Sequence, residues 1–262
     1  MLSRSLLLAT TNTESSTWTP EQIATELWLD FADSGTIAKS GTEITLVTDK
    51  SGNLRTFTPG SSRPNHGTQT INTLPVAVFS GSEFLQSQQS ASTWRFLNDS
   101  TGSTCFFVFN SYSGYLLATG DGNTGILFFM DKNSVGLFVT GNNFISVENG
   151  ITTPLSGTQL LGSIANPSAS PVVNRSTLQL NAGTGVSNNV RTGTPANQDP
   201  NATLYINGVA GTPLASGLLA EIILISGIAS LENRQKIEGY LAHKWGLTTN
   251  LPSDHPYKSV AP

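Results

Sequence analysis

The chain has 262 residues, of which 11% are charged, and a formal net charge of −4. Ordinary globular proteins carry about 25% charged residues, so long charged tails are excluded, and a net negative charge offers no handle for nucleic acid or anionic lipid. The 25 glycines and 13 prolines suit a chain of many short strands and turns, and a chain this long buries about 70% of its unfolded surface without a stabilising disulfide or metal.

Residues 1–19 are rich in Ser and Thr and read as an extended N-terminal arm, leaving 20–262 as one domain. Met1 to Ala9 holds only a short Leu6-Leu7-Leu8 core, below the roughly 7–15 apolar residues of a signal sequence. This fits an unexported chain, or one released by lysis, better than a secreted one. No stretch approaches the roughly 20 apolar residues of a membrane helix. Thr19-Pro20-Glu21-Gln22 predicts a short helix to about Thr25, with Thr as cap and Pro at the first helical position.

The period then changes to two. Leu27, Leu29 and Phe31 alternate with Trp28 and Asp30, and Ile44 and Leu46 alternate likewise, as half-buried strands do. Asp49 to Asn53 reads as a turn. Further strands are predicted at Val76–Phe79, Phe106–Phe109, Gly125–Met130, Val135–Val139, Phe144–Val147 and around Leu178 and Leu180. Gly183 to Asp199 is a polar loop. Leu204 to Val209 reads as a hairpin turning at Asn207-Gly208, and Leu218 to Ile225 as a central apolar strand. Ser230 caps a helix from Leu231 to about Trp245, in which Ile237, Tyr240, Leu241 and Trp245 form one stripe and Glu238 lies off it. Gly246 suits the C-cap. No repeat of 20–50 residues marks a solenoid or propeller.

Candidate chemistry is sparse. The single cysteine, Cys105, sits in an apolar run and reads as a buried thiol. His66, His243 and His255 lack metal-site spacing. Gly120 to Gly125 contains Asp121 and Asn123, hard oxygen donors that suit calcium or, equally, a self-capped β-turn. The segments around Tyr112, Tyr115, Asn142 and Asn143 read as loops whose rings and amides suit sugars, as well as ordinary exposed polar loops. Glu221 stands alone before an apolar run, and no strand carries acids at glycosidase spacing.

Three blocks carry a family resemblance. They are Leu27-Trp28-Leu29-Asp30 with Asp49-Lys50-Ser51-Gly52-Asn53 and Arg63-Pro64, then Leu74 to Leu85, then Ala220 to Ile225 with Gln235 to Leu247 and His255-Pro256-Tyr257. Together they resemble the concanavalin A-like lectin/glucanase superfamily in its laminin-G-like branch, over about residues 26–258. The resemblance implies an all-β fold: a two-sheet antiparallel jelly-roll sandwich closed by the C-terminal amphipathic helix. Chains with this ending are often virion proteins of bacteriophages or large bacterial surface proteins. The expectation is therefore a non-enzymatic structural or adhesion protein of a virion: a capsid decoration, tail or fibre component. It would self-associate as a homo-oligomer, contact other virion proteins and touch host glycans, with calcium as the only cofactor the sequence suggests. A free bacterial carbohydrate-binding module, secreted or on the cell surface, is the alternative. A glycoside hydrolase is a second alternative, disfavoured by the missing acid pair.

Overall fold

The computed structural model describes residues 18–120, 124–131, 134–140, 145–151, 156–187, 192–195, 197–213 and 215–262. It is predominantly β. The first strands are β1 (Leu27–Asp30), β2 (Ile37–Ser40), β3 (Glu43–Thr48), β4 (Thr56–Pro59), β5 (Asn65–Ile71), β6 (Leu74–Ser80) and β7 (Leu85–Ser87). After them come β8 (Ser103–Ala118), β9 (Gly125–Asp131), β10 (Ser134–Thr140), β11 (Ile145–Ile151), β12 (Thr158–Ala165) and β13 (Ser176–Leu180). The last are β14 (Tyr205–Ile206), β15 (Gly208–Val209), β16 (Thr212–Pro213) and β17 (Ala215–Ser226), followed by the helix α1 (Leu231–Trp245).

Hydrogen-bonded pairing runs β17-β6-β5-β3-β4-β7-β14-β8, and β8 pairs back onto β17. Eight antiparallel strands thus form a closed, barrel-like sheet. The two longest strands are its spine. One edge of β17 holds β8 while the other holds β6 and then β1. The meander β9-β10-β11 and the pair β12-β13 extend from β8 outside the ring.

Alternation along the spine separates two cores. Cys105, Phe107 and Phe109 of β8, with Ile222 and Leu224 of β17, point inward to Phe57, Trp94 and Phe128. Phe106, Val108, Ile223 and Ile225 point outward, where Ile237, Leu241 and Trp245 of α1 cover them. The half-buried reading of β1 is corrected by this cover. All four of its residues are buried, because Trp28 and Asp30 lie under the helix. The helix follows its sequence signals: the Ser230 side chain accepts from the Asn233 N–H, and Gly246 ends it at φ 73°.

Two local expectations are corrected. Thr19 makes no side-chain cap bond, and the helix after it is a single 3₁₀ turn, Pro20–Gln22. The hairpin turn lies at Ala210-Gly211, both at positive φ, between β15 and β16 rather than at Asn207-Gly208. Asn207 is instead fully buried. Its side chain accepts from the Tyr112 hydroxyl and donates to the carbonyls of Glu83 (2.6 Å) and Ala215 (2.8 Å). At the other end, the Trp18 N–H donates to the Pro262 carbonyl (3.2 Å), and the Trp18 ring packs edge-on against Tyr240.

Candidate functional site

Two of the three sequence blocks that carry the resemblance, the first and the third, converge on one buried carboxylate. Glu221 of β17 is wholly inaccessible. One of its oxygens accepts from the Trp28 indole N–H (2.6 Å), and the other from the Trp245 indole N–H (2.6 Å) and Lys244 Nζ (2.8 Å). Lys244 also reaches Asp30 (2.6 Å), and Lys50 bridges Asp30 (3.1 Å) to Asp33 (2.8 Å). A chain of alternating charges therefore runs from beneath the helix to a half-exposed end. Burial pushes the Glu221 carboxyl up, opposed by Lys244 and reinforced by Asp30. Burial opposes the charge on Lys50, but its bonds to Asp33 and Asp30 outweigh that and hold its pKa up.

Glu221 is thus not solitary. Asp30 faces it in register on the neighbouring strand, a carboxylate pair that periodicity did not reveal because its partners lie up to 193 residues away. In this structure both carboxylates tie the helix to the sheet, under cover of the helix. Burying the two acids Glu221 and Asp30 is tolerable only with such complete pairing.

The residues after the helix are held to it in the same way. His243 Nε2 donates to the Tyr257 carbonyl (2.9 Å). The Tyr257 N–H donates to His255 Nδ1 (3.2 Å), which leaves the ring proton on Nε2 to be donated to Glu238 (3.2 Å). Gly239 admits the Tyr257 ring: a Cβ there would lie 2.4 Å from Tyr257 Cβ. Glu238, expected off the apolar stripe, is buried at 5% exposure because the tail folds over it. Burial raises its carboxyl to about 7 against the opposing charge of Arg234.

Of the sequence-predicted site residues, the structure describes Tyr112 and Tyr115. Tyr112 is a correction: it lies inside β8 rather than in a loop. Its ring is buried in the inner core, and its hydroxyl is engaged by Asn207, so it has no face to offer a sugar. Tyr115 is also in β8, half-buried and tilted against Phe129 with ring centres 6.3 Å apart. Asp121, Asn123, Asn142 and Asn143 lie outside the described residues. Among the described residues no cluster of three or more His, Cys, Asp or Glu could hold a metal ion. Cys105 is buried, and its burial pushes the thiol up to about 12.

An open polar groove of about 660 Å³ lies elsewhere, lined by Glu43, Gly60, Ser61, Ser62, Arg63, Asn65 and Glu83. Its walls are pre-set. Glu43 and Asn65 pair in register at the starts of β3 and β5, and Thr42 Oγ1 donates to the Asn65 amide oxygen (2.8 Å). The Gly60 N–H donates to the Phe84 carbonyl (3.3 Å). A Cβ on Gly60 would strike the Phe84 ring at 2.4 Å, so a larger residue there would have to displace that ring. The Glu83 carboxylate accepts from Ser80 N–H (2.8 Å), Ser80 Oγ (2.6 Å) and Ser82 N–H (3.2 Å); burial would raise it, but these bonds hold it below its usual range. By contrast Arg63 and Glu43 meet only at 3.7 Å, with side chains 44% and 54% exposed. That separation is an ion pair but not a hydrogen bond, so donors and acceptors of both remain available. Sequence reading passed over this groove: Arg63 stood in a resemblance block, but nothing in the local pattern joined it to Glu43.

No protein-family model matches the chain, and no curated protein matches it in sequence. Solved structures do match in fold. Domain 4 of the extracellular arabinanase AbnA from Geobacillus stearothermophilus, in complex with arabinotriose, is 12% identical at a TM-score of 0.54, over 79% of this chain and 94% of that domain. The binding domain of botulinum neurotoxin DC in complex with rat synaptotagmin II is 10% identical at 0.55, over 83% of this chain and 52% of that one. The same toxin domain in complex with SialylT is 6% identical at 0.51, over 84% and 52%. The chain therefore spans about half the length of the toxin domains and nearly all of the arabinanase domain. At these identities the likeness is one of fold.

Proposed function

We propose that the chain is a non-enzymatic, lectin-like binding domain with a concanavalin A-like jelly-roll sandwich, its closed sheet being the two faces of that sandwich joined at their edges. In this reading it serves as a structural or adhesion component of a virion, as a capsid decoration, tail or fibre part, and contacts host glycans. The observation that carries the binding reading is the fold likeness to a domain held with arabinotriose across 94% of that domain's length. The use of Asp30 and Glu221 as ties beneath α1 supports a role without catalysis. The virion role rests on the resemblance of the C-terminal blocks and on the low-charge, Ser/Thr/Asn-rich surface. Self-association as a homo-oligomer belongs to the same reading.

A free carbohydrate-binding module is the competing reading, favoured by the likeness to one domain of an extracellular enzyme. A broad glycan array probed with the full chain tests the shared part, and binding to a defined glycan class is expected. Silence across the array sinks both. Co-sedimentation of the chain with phage particles, expected for a virion component, separates the two. Release of reducing sugar from any polysaccharide would overturn the non-enzymatic reading.

A further inference from the structure

We infer that the groove between the β4–β5 loop and the starts of β3 and β5 is the carbohydrate site, and that its ligand is a short neutral oligosaccharide with adjacent hydroxyls. This rests on the reading of the chain as a glycan-binding domain and assigns its site and ligand class.

The size comes first. About 660 Å³ lies within the roughly 300–1,000 Å³ of small-ligand sites. The lining decides the chemistry. It offers a guanidinium, two carboxylates, an amide and two hydroxyls, with no aromatic side chain among the lining residues. A ring-stacking platform for extended polysaccharide is thus lacking in the lining, and recognition falls to hydrogen bonds. Glu83 is saturated by Ser80 and Ser82 and serves as wall.

The remaining opposed charges, Arg63 and Glu43, cancel, so the groove does not select an anion. At 3.7 Å they lie within ion-pair distance but beyond hydrogen-bond distance, so neither satisfies the other. A vicinal diol fits that gap: one hydroxyl accepts from Arg63 while its neighbour donates to Glu43. Charge-assisted hydrogen bonds of this kind are the strong ones. Asn65, Ser61 and Ser62 supply the neighbouring contacts. The Gly60 N–H bond to the Phe84 carbonyl holds the loop backbone in place, so that backbone need not be ordered on binding.

The test is titration calorimetry on the full chain with arabinotriose, xylotriose and maltotriose as neutral probes and sialyllactose as the acidic one, alongside a broad glycan array. We expect a neutral probe to bind. Arg63→Ala and Glu43→Ala should each weaken it by about tenfold or more, the scale of losing a hydrogen bond to a charged group. Glu232→Ala, on the exposed start of α1, is the control. Melting temperatures show that each variant is folded. Binding that ignores both groove substitutions overturns the site while leaving the glycan reading intact. Preference for sialyllactose over all neutral probes overturns the ligand class. Silence on the whole array overturns the glycan reading and this inference with it.

Discussion

The cluster under α1 and the groove by the β4–β5 loop use the same side chains to opposite ends. In the first, Glu221 has its two oxygens filled by two indoles and a lysine, and lies at 0% exposure. In the second, Glu43 and Arg63 are about half exposed and stop short of a hydrogen bond. The contrast separates two uses of polar groups. A fully satisfied buried network fixes one packing and tolerates no loss, because an orphaned charge in low dielectric is costly. A half-satisfied exposed pair contributes little to stability and keeps its bonding capacity for something else.

The sharpest way to break this comparison is Glu221→Ala. It orphans two indole N–H groups and leaves Asp30 as the one carboxylate beside Lys244, so a loss of about 4 kcal/mol is expected in a denaturant titration. A loss below about 1 kcal/mol would mean that the cluster is not the tie described. Asn207→Ala comes next. It removes the buried amide that joins Tyr112 to the Glu83 and Ala215 carbonyls, and about 3 kcal/mol should go, read from the same titration.

Glu238→Gln sharpens the picture through pH. The Glu238 carboxyl is raised to about 7 in the folded chain, above its ordinary range, so the folded state binds the proton more tightly than the unfolded one. Its favourable contribution is complete below the unfolded pKa and fades as pH rises through about 7. Gln keeps an acceptor for His255 and does not ionise. The variant should match wild type in unfolding free energy near pH 4.5 and exceed it at pH 8, by on the order of 2 kcal/mol, which a higher melting temperature at pH 8 would show. Equal melting curves at both pH values would refute the raised carboxyl. The smallest effect belongs to the groove: Arg63→Ala should change stability by less than about 0.5 kcal/mol, whatever it does to binding.

How much of this was legible in the sequence follows from the range of the interactions. The helix Leu231–Trp245, its Ser230 cap and the left-handed Gly246 were readable because caps and stripes are local. The long apolar strand before it and the turn after β3 were readable for the same reason. Glu221 was misread as solitary because Trp28 and Lys244 come to it only through the fold. Glu238 looked exposed because a helical wheel cannot show the tail that returns over it with His255. Asn207-Gly208 had the local signature of a hairpin turn. Its side chain is instead bonded to segments 8 to 124 residues away, and the chain turns three residues later. Tyr112 was taken for a loop aromatic because Ser and Gly surround it, whereas β8 runs straight through that stretch. The candidate calcium and asparagine positions, Asp121, Asn123, Asn142 and Asn143, lie outside the described residues.

The contact between the Trp18 N–H and the Pro262 carbonyl has a consequence for how folding can be followed. Residues 18 and 262 are one hydrogen bond apart, although 244 positions of chain separate them. A pair of labels placed at these two positions would sit together in the folded chain and part on unfolding, a single ruler for the integrity of everything between them.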